Sequence, residues 1–417
     1  MFNHQPIQSK SLRSRFVATS LVLLAFGLTI GTADSSAAKS IKKGEKSAIP
    51  AAEAPVEWTN VVVKSTCNPS LVQGSDGVWN LVYELVLSNY GGKEQSIDSV
   101  EISADNGEKL LKLSGKSLKK NFLCVAPPHD RTSLKPGESG VAWVNIEMKE
   151  APESLKSLKH SISTTPKSGK KSVNSYSLPV AQLKALPLGA PLTGSGWLAM
   201  GGYNGVLGHR RALMPIDNKL VNSQRYAIDW IKFDKNWNTW KPKGSWEEEK
   251  DSVCYGEPLL AVTDGEIVGT IDEFEDQRPF KEGKDMRYPG GNCITLKMDN
   301  GYYAFYAHVK PGSLKVKTGD KVKRGQVIGL LGNSGHSFEP HLHFHVTDKP
   351  EILAGNGIPY VIDSFKLLGK AKKLDRYATN KSRKEPAPVK LLKSPESKVK
   401  QLPKEGAIVS FGAGADE

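Results

Sequence analysis

Three histidines alternate with apolar residues towards the end of the chain. Residues 340–346 read PHLHFHV, so His341, His343 and His345 are two positions apart. A period of two is typical of a β-strand, in which every second side chain points to the same face. The imidazoles therefore share one face while the apolar residues enter a core. Because neutral imidazole is a common zinc ligand, the pattern predicts a metal site.

The distribution of histidines favours this interpretation over a surface strand with three solvated imidazoles. Six of the nine histidines lie in the segment 209–345. A catalytic zinc typically keeps three protein ligands and a water molecule whose pKa it lowers. A histidine one strand step away from a ligand could then move a proton.

The length and composition are compatible with two globular domains and charged tails. The chain has 417 residues, a hydrophobic fraction of 38% and a net charge of +13. This charge suits anionic envelope polymers or nucleic acid. Much of the excess lies in residues 39–46 and 370–404, which is typical of solvated tails. We expect weak attraction to anionic envelope polymers and no nucleic-acid partner, because the N-terminus predicts export. The oligomeric state is not predicted.

The N-terminus has the layout of a secretory signal peptide. Basic residues precede the apolar run 16–28, and small residues follow up to position 38. We predict a signal peptide at 1–38, a linker at 39–55 and a mature protein in the periplasm or cell wall. An uncleaved N-terminal anchor is the alternative.

Hydrophobic patterning predicts an all-β protein. Short alternating strands separated by turns in residues 56–186 are typical of an immunoglobulin-like β-sandwich, here an accessory domain. A second β-rich domain, residues 187–369, carries the clustered histidines. We expect residues 370–417 to form a basic disordered tail, with a terminal strand at 407–411 as the alternative.

The four cysteines form two pairs that are close in sequence. An exported protein can keep such pairs oxidised. Of the three connectivities, we predict the local one, which joins Cys67 to Cys124 and Cys254 to Cys293. Free thiols are the alternative.

Five segments in residues 187–365 resemble the lysostaphin-like zinc metallopeptidases, which cut peptidoglycan peptides. They are AID at 227–229, EPLLAVTDGEIV at 257–268, YAH at 306–308, GQVIG at 325–329 and PHLHF at 340–344. Their common order carries the resemblance. It implies a mostly antiparallel β-sheet groove with Zn²⁺ on its floor, in an exported endopeptidase that hydrolyses peptide bonds of peptidoglycan.

The resemblance also implies residue roles. Asp229 and His343 would be zinc ligands, His341 a general base or acid, and His308 a hydrogen-bond donor to the developing oxyanion. The zinc would polarise the peptide carbonyl and activate water, while the other imidazoles move the proton and stabilise charge.

Two positions depart from the family pattern. Arg225 stands where the family usually has a histidine ligand four residues before Asp229, and a guanidinium stays protonated and cannot bind zinc. His345 stands where the family usually has glutamate. The alternative function is therefore a catalytically degenerate relative that binds peptidoglycan or activates another hydrolase.

A hairpin that turns at 217–219 could supply the missing ligand. If Ile216 opposes Leu220, continuing the register brings His209 diagonally across from Asp229 on the same face. We therefore predict His209 as the third metal ligand.

A register slip of one residue would send His209 to the other face. His345 would then be the next candidate, and a site with only Asp229 and His343 is the remaining alternative. Asp229 and His343 would share one metal position. A ring nitrogen of His209 within coordination reach of that position favours an enzyme, whereas an Arg225 side chain filling it favours a binding protein.

Overall fold

The computed structural model describes residues 58–412, except for 126–127, 130, 153, 206–207, 282–287 and 375–384. The predicted signal peptide (1–38) and the predicted linker (39–55) lie outside the described residues. Within the described part, no helix is long and apolar enough to cross a membrane.

As far as the structure describes it, the N-terminal part has eleven strands and one short helix. They are β1 (Val61–Ser65), β2 (Leu71–Gln73), β3 (Trp79–Asn89), β4 (Gln95–Ala104), β5 (Lys109–Ser114), α1 (Gly115–Asn121), β6 (Phe122–Val125), β7 (Pro128–His129), β8 (Ser133–Leu134), β9 (Ser139–Met148), β10 (Ser157–Pro166) and β11 (Ser172–Pro179).

These strands form two sheets. One has the order β1-β3-β9-β6-β7, with β2 paired to β3, and the other has the order β11-β10-β4-β5, with β8 paired to β4. Leu81 and Leu85 of the first sheet and Val100 and Ile162 of the second belong to one buried core. The sheets are called the N-terminal sheets below. Their immunoglobulin-like topology and accessory role stay predictions.

The remaining strands and two short 3₁₀ turns follow in chain order. They are β12 (Leu186–Leu188), β13 (Gly194–Met200), a 3₁₀ turn (Gly208–Arg211), β14 (Met214–Ile216), β15 (Lys219–Val221), β16 (Ile228–Lys232), a 3₁₀ turn (Glu249–Asp251), β17 (Pro258–Leu260), β18 (Gly265–Ile271), β19 (Cys293–Met298), β20 (Tyr303–Ala307), β21 (Lys321–Val322), β22 (Val327–Leu330), β23 (Leu342–Thr347), β24 (Tyr360–Ala371), β25 (Val389–Gln401) and β26 (Ala407–Phe411).

Most of these strands form one eleven-stranded sheet, called the large sheet below. Its order is β12-β24-β26-β13-β16-β23-β20-β19-β18-β21, with β25 paired to β24. Neighbouring strands are antiparallel throughout its described part, except β12 with β24. The predicted all-β class is confirmed. The order also places β16, β23 and β20 side by side at the centre of the sheet.

The structure differs from the prediction of a disordered tail at residues 389–401, which form a strand, and it agrees with the alternative of a terminal strand at 407–411. Strand β25 pairs with β24, and β26 lies between β24 and β13 in the large sheet. Ile408 and Val409 are fully buried. The basic composition was misleading because the lysines of β25 lie mostly exposed along a sheet edge, where charge is compatible with backbone pairing.

The two predicted disulfides are wrong. All four cysteines lie within the described residues, and each is a thiol: Cys67, Cys124, Cys254 and Cys293. The Sγ of Cys254 donates to the carbonyl oxygen of Pro340 at 3.0 Å. Burial raises the pKa of Cys254 and Cys293 to about 12, so these thiols stay protonated within the core.

Candidate metal centre

Asp229 and His343 lie directly opposite each other on adjacent strands. Strand β16 pairs with β23 so that Asp229 is the register partner of His343. The Nδ1 atom of His343 lies 2.9 Å from Oδ1 of Asp229. Leu342 and Phe344, on the opposite face of β23, are fully buried. The alternation seen in the sequence therefore places His343 on the open face of the sheet.

His209 reaches the same carboxylate from the 3₁₀ turn Gly208–Arg211. Its Nε2 atom lies 3.3 Å from Oδ2 of Asp229. One nitrogen from each of His209 and His343 and a carboxylate oxygen of Asp229 all lie within 4.8 Å of one another. The structure thus brings together the three side chains that the sequence predicted as metal ligands.

The route of His209 to the site differs from the predicted hairpin. Strands β14 and β15 pair with Ile216 opposite Lys219, not opposite Leu220. The two-residue turn at 217–218 has positive φ angles, as the tightest hairpin turns require. The predicted register was therefore wrong by one residue. His209 lies on the separate 3₁₀ turn rather than on an extension of β14.

His341 and His308 lie beside these three residues. The Nε2 atom of His341 is 3.4 Å from Oδ1 of Asp229, and the ring centroids of His308 and His341 are 4.5 Å apart. His308 directly follows β20 and has a φ of +62°. Non-glycine residues rarely adopt this left-handed conformation, which is often retained at functional sites.

In three of the imidazoles, Nδ1 is hydrogen-bonded to a backbone carbonyl group, which can only accept. The Nδ1 atoms of His209, His308 and His341 contact the carbonyl oxygens of Gly201, Ser334 and Glu339 at 3.1, 2.8 and 2.7 Å. In the neutral ring, the proton must therefore sit on Nδ1. The lone pair is left on Nε2, which in His209 and His341 faces Asp229.

His343 is oriented by a relay through His345. The Nε2 of His343 lies 2.9 Å from Nδ1 of His345, whose Nε2 lies 3.0 Å from the carbonyl oxygen of Ile352. Because that carbonyl only accepts, neutral His345 is protonated on Nε2 and accepts from His343 through Nδ1. The lone pair of His343 then lies on Nδ1, facing Asp229. His345 thus contacts His343 and not the carboxylate.

These tautomers make a site that fits a zinc ion. The imidazole lone pairs of His209 and His343 face the carboxylate oxygens of Asp229. All of these atoms are acceptors, so they repel one another unless a cation or a proton lies between them. Ligand atoms of a tetrahedral zinc site lie roughly 3.3 Å apart. The distances from Asp229 oxygens to Nε2 of His209, 3.3 Å, and to Nδ1 of His343, 2.9 Å, are close to this spacing. Two imidazoles and a carboxylate are also ordinary zinc donors.

The charges of the site are strongly coupled. Burial alone would raise the pKa of Asp229, but His209 and His341 hold it well below its usual value. Burial alone would lower the pKa of both histidines, but the Asp229 carboxylate raises each above its usual value. Burial lowers the pKa of His308 and His343. Asp229 is therefore ionised at neutral pH and available as an anionic ligand.

Arg225 takes no part in this cluster. Its guanidinium donates to the carboxylate of Glu84, to the carbonyl oxygen of Gly357 and to Thr66 Oγ1. Arg210, next to His209 in the chain, donates to the same carboxylate of Glu84. Sequence reasoning missed Glu84, which sits on β3 among apolar residues and has no motif around it.

Comparison with known proteins agrees with the geometry. Residues 252–354 match the model of a family described as Peptidase family M23. The chain contains a lysostaphin-like M23 peptidase domain. The resemblance seen in the sequence is thereby confirmed. The matched residues include His308, His341 and His343, whereas His209 and Asp229 precede them.

Two curated relatives share short regions with this chain. A glycyl-glycine endopeptidase of Staphylococcus capitis is 39% identical over 90 residues, 21% of this chain and 21% of that protein. A peptidoglycan DD-endopeptidase of Vibrio cholerae is 34% identical over 91 residues, 22% of this chain and 17% of that protein. The chain therefore spans about a fifth of the length of these relatives.

A solved structure of the lysostaphin catalytic domain from Staphylococcus simulans is also similar. It is 23% identical with a TM-score of 0.21, and the match covers 39% of this chain and 84% of that domain.

Proposed function

We propose that this M23 protein is an exported zinc metalloendopeptidase that hydrolyses peptide bonds of peptidoglycan. The observation that carries the proposal is the convergence of His209, Asp229 and His343, whose ligand atoms lie within 4.8 Å of one another. The activities in the names of the two relatives support the substrate class.

The three ligand side chains leave two imidazoles for proton transfer. A zinc ion held by His209, Asp229 and His343 would supply Lewis-acid chemistry towards a peptide carbonyl and water. The Nε2 atom of His341 carries a lone pair because Glu339 holds its Nδ1 proton. His341 therefore takes a proton from the attacking water and delivers it to the leaving amine.

The role of His308 depends on its protonation. Because the carbonyl of Ser334 holds the proton on Nδ1, the Nε2 of neutral His308 is an acceptor. The donor role implied by the family resemblance therefore requires a charged ring. Burial holds the pKa of His308 well below its usual value, so the resting ring is neutral and its Nε2 accepts rather than donates.

Export is a separate part of the proposal. Its support is the basic, apolar and small-residue layout of positions 1–38, together with a substrate class that lies outside the cytoplasmic membrane. We propose the periplasm or cell wall as the location.

The alternative of a degenerate peptidoglycan-binding protein was motivated by Arg225. The hydrogen bonds of Arg225 go to Glu84, Gly357 and Thr66, while His209 lies 3.3 Å from Asp229. This arrangement favours the enzyme, and the binding protein is retained as an outcome of the test.

The test is digestion of purified peptidoglycan by the zinc-loaded protein, with new amino termini as the readout. Wild type and the control variant His129→Gln should release new amino termini, because His129 lies in the N-terminal sheets. His341→Gln should bind zinc but lose at least about 100-fold in rate, as expected for a general base. Peptidoglycan binding without new termini in any sample would instead identify a binding protein. Equal rates in wild type and His341→Gln would refute the proposed role of His341.

A further inference from the structure

A single peptide group connects His209 to a carboxylate from the C-terminal part of the chain. The carbonyl oxygen of Gly201 contacts Nδ1 of His209 at 3.1 Å. The N–H of Gly202 belongs to the same peptide group, and it donates to Oε2 of Glu405. These contacts form a series that runs from the Glu405 carboxylate through the peptide between Gly201 and Gly202 to the imidazole of His209. The series ends at Asp229, whose Oδ2 lies 3.3 Å from Nε2 of His209.

We propose that Glu405 is a positioning residue for His209 and acts through the peptide between Gly201 and Gly202. The inference rests on the proposed zinc site. A peptide group is planar and conjugated, so an anion bound at its N–H increases the negative charge on its oxygen. That oxygen holds the Nδ1 proton of His209 more strongly. The ring is thereby fixed with its Nε2 lone pair facing Asp229, and its basicity as a ligand rises.

The local backbone requires glycine at position 201. Gly201 has a φ of +68°, and a Cβ atom there would lie only 2.5 Å from Nδ1 of His209. Any larger residue would therefore push the imidazole away from the carbonyl that orients it. The close approach of His209 to this peptide is thus part of the local fold.

Backbone hydrogen bonds of the surrounding turn hold Glu405 in place. It lies in the turn between β25 and β26, and this turn is bonded to three other segments. The contacts are Leu402 N–H to the carbonyl of Gln73 at 2.8 Å, Glu405 N–H to Asn204 Oδ1 at 2.8 Å and Gly406 N–H to the carbonyl of Ala199 at 2.8 Å. The carboxylate is therefore presented by a fixed turn and not by a free tail.

The charges of Glu405 and the site influence each other. Burial, together with the nearby Asp229 carboxylate, raises the pKa of Glu405 to about 7, against the opposing effects of the Gly202 N–H and His209. Glu405 in turn contributes to raising the pKa of His209. A cation bound beside Asp229 would favour the ionised form of Glu405, so the relay would be strongest in the metal-loaded protein.

The test compares zinc affinity in three variants of the full chain. Glu405→Ala removes the acceptor of the Gly202 N–H, and Glu405→Gln keeps an oxygen that can accept. The matched control is Glu396→Ala on β25, where the exposed Glu396 pairs only with Lys398 within the described residues. Zinc dissociation constants come from competition with a chromophoric chelator, and the visible spectrum of the cobalt-substituted protein reports the ligand geometry.

We expect Glu405→Ala to weaken zinc binding about 10- to 100-fold and to change the cobalt spectrum, as loss of an outer partner of a ligand histidine does. Glu405→Gln keeps an acceptor for the Gly202 N–H but no negative charge, so it should recover part of the affinity, and Glu396→Ala should match wild type. Wild-type affinity and spectrum in Glu405→Ala would overturn the inference while leaving the proposed zinc site intact. Failure of wild type itself to bind zinc would overturn the proposed function and the inference with it. If Glu405→Ala does not fold, Glu405→Met, which fills the same volume without an oxygen, replaces it with the same expected loss.

Discussion

Arg225, in the turn before β16, forms a buried ion pair with Glu84 on β3 of the N-terminal sheets. The Nη2 of Arg225 lies 2.8 Å from Oε2 of Glu84, and the side chains are 2% and 0% exposed. The family resemblance implies a metal-binding histidine at the position of Arg225. Position 225 is four residues before Asp229, and its arginine side chain contacts Glu84 on β3. In the proposed zinc site, His209 takes the place of that ligand, with its Nε2 atom 3.3 Å from Oδ2 of Asp229.

The first prediction concerns Arg225→His in a His209→Ala background. The family resemblance implies a histidine ligand at position 225, so the sequence pattern predicts that this substitution restores zinc binding. Because the Arg225 side chain is directed to Glu84, we now expect no recovery of zinc affinity. We also expect a loss of stability of about 3 to 5 kcal/mol, the usual cost of breaking a buried ion pair. Chelator competition and denaturant unfolding measure the two effects. Return of tight zinc binding would show that position 225 faces the metal.

The second prediction is a loss of stability in acid that depends on Glu84. Burial alone would raise the pKa of this carboxyl, but Arg225 and Arg210 lower it to about 2. A lowered folded-state pKa stabilises the protein above the unfolded pKa of about 4.5, and the contribution disappears as the pH falls towards 2. Its size is about 3 kcal/mol.

Unfolding free energies of wild type and Glu84→Gln between pH 7 and pH 2 test this. The difference between the two proteins should be largest at neutral pH and shrink steadily below about pH 4.5. A difference that does not change with pH would mean that the ionised form of Glu84 contributes nothing.

The third prediction concerns His160 in the N-terminal sheets. Its Nε2 accepts from the hydroxyl of Tyr83 at 2.7 Å, and its Nδ1 donates to the carbonyl of Tyr176 at 3.0 Å. Burial lowers its pKa to about 4. The folded protein therefore resists protonation that the unfolded chain accepts below about pH 6.5, and stability falls from there towards pH 4.

The measurement is the unfolding free energy of wild type relative to His160→Gln, which does not titrate in this range. The advantage of wild type should decrease by about 3 kcal/mol between pH 7 and pH 4. A parallel pH dependence of the two proteins would assign the acid sensitivity to other groups.

Part of the site could be predicted because it depends on local pattern. The alternation around His343 fixes which side chains face the sheet surface, and the order of short motifs indicates the family. His209 lies beside Asp229 by a route that the sequence did not predict, since the assumed hairpin register was off by one and the residue lies on a 3₁₀ turn. A turn of this kind leaves no periodic signal in the sequence. The role of His209 as a ligand stays a prediction.

The contacts of the site with distant segments could not be predicted. Glu84 is 141 residues from Arg225, and Glu405 is 203 residues from Gly202. Neither carboxylate belongs to a motif, and the segment before Glu405 has the lysine-rich composition of a solvated tail. Only the pairing of β26 with β13 brings Glu405 to the peptide that holds His209.

The central claim, that His209 supplies the ligand that Arg225 does not, is tested most directly by X-ray absorption at the zinc edge. Wild type should hold about one zinc with two imidazoles and one carboxylate at about 2.0 to 2.2 Å. His209→Ala should remain folded, since the site is held by the β-sheet, yet lose at least about 100-fold in zinc affinity and show one imidazole fewer in any zinc that it retains. Unchanged zinc affinity and two imidazoles in His209→Ala would contradict the account and transfer the ligand role to another histidine such as His341, whose Nε2 lies 3.4 Å from Oδ1 of Asp229.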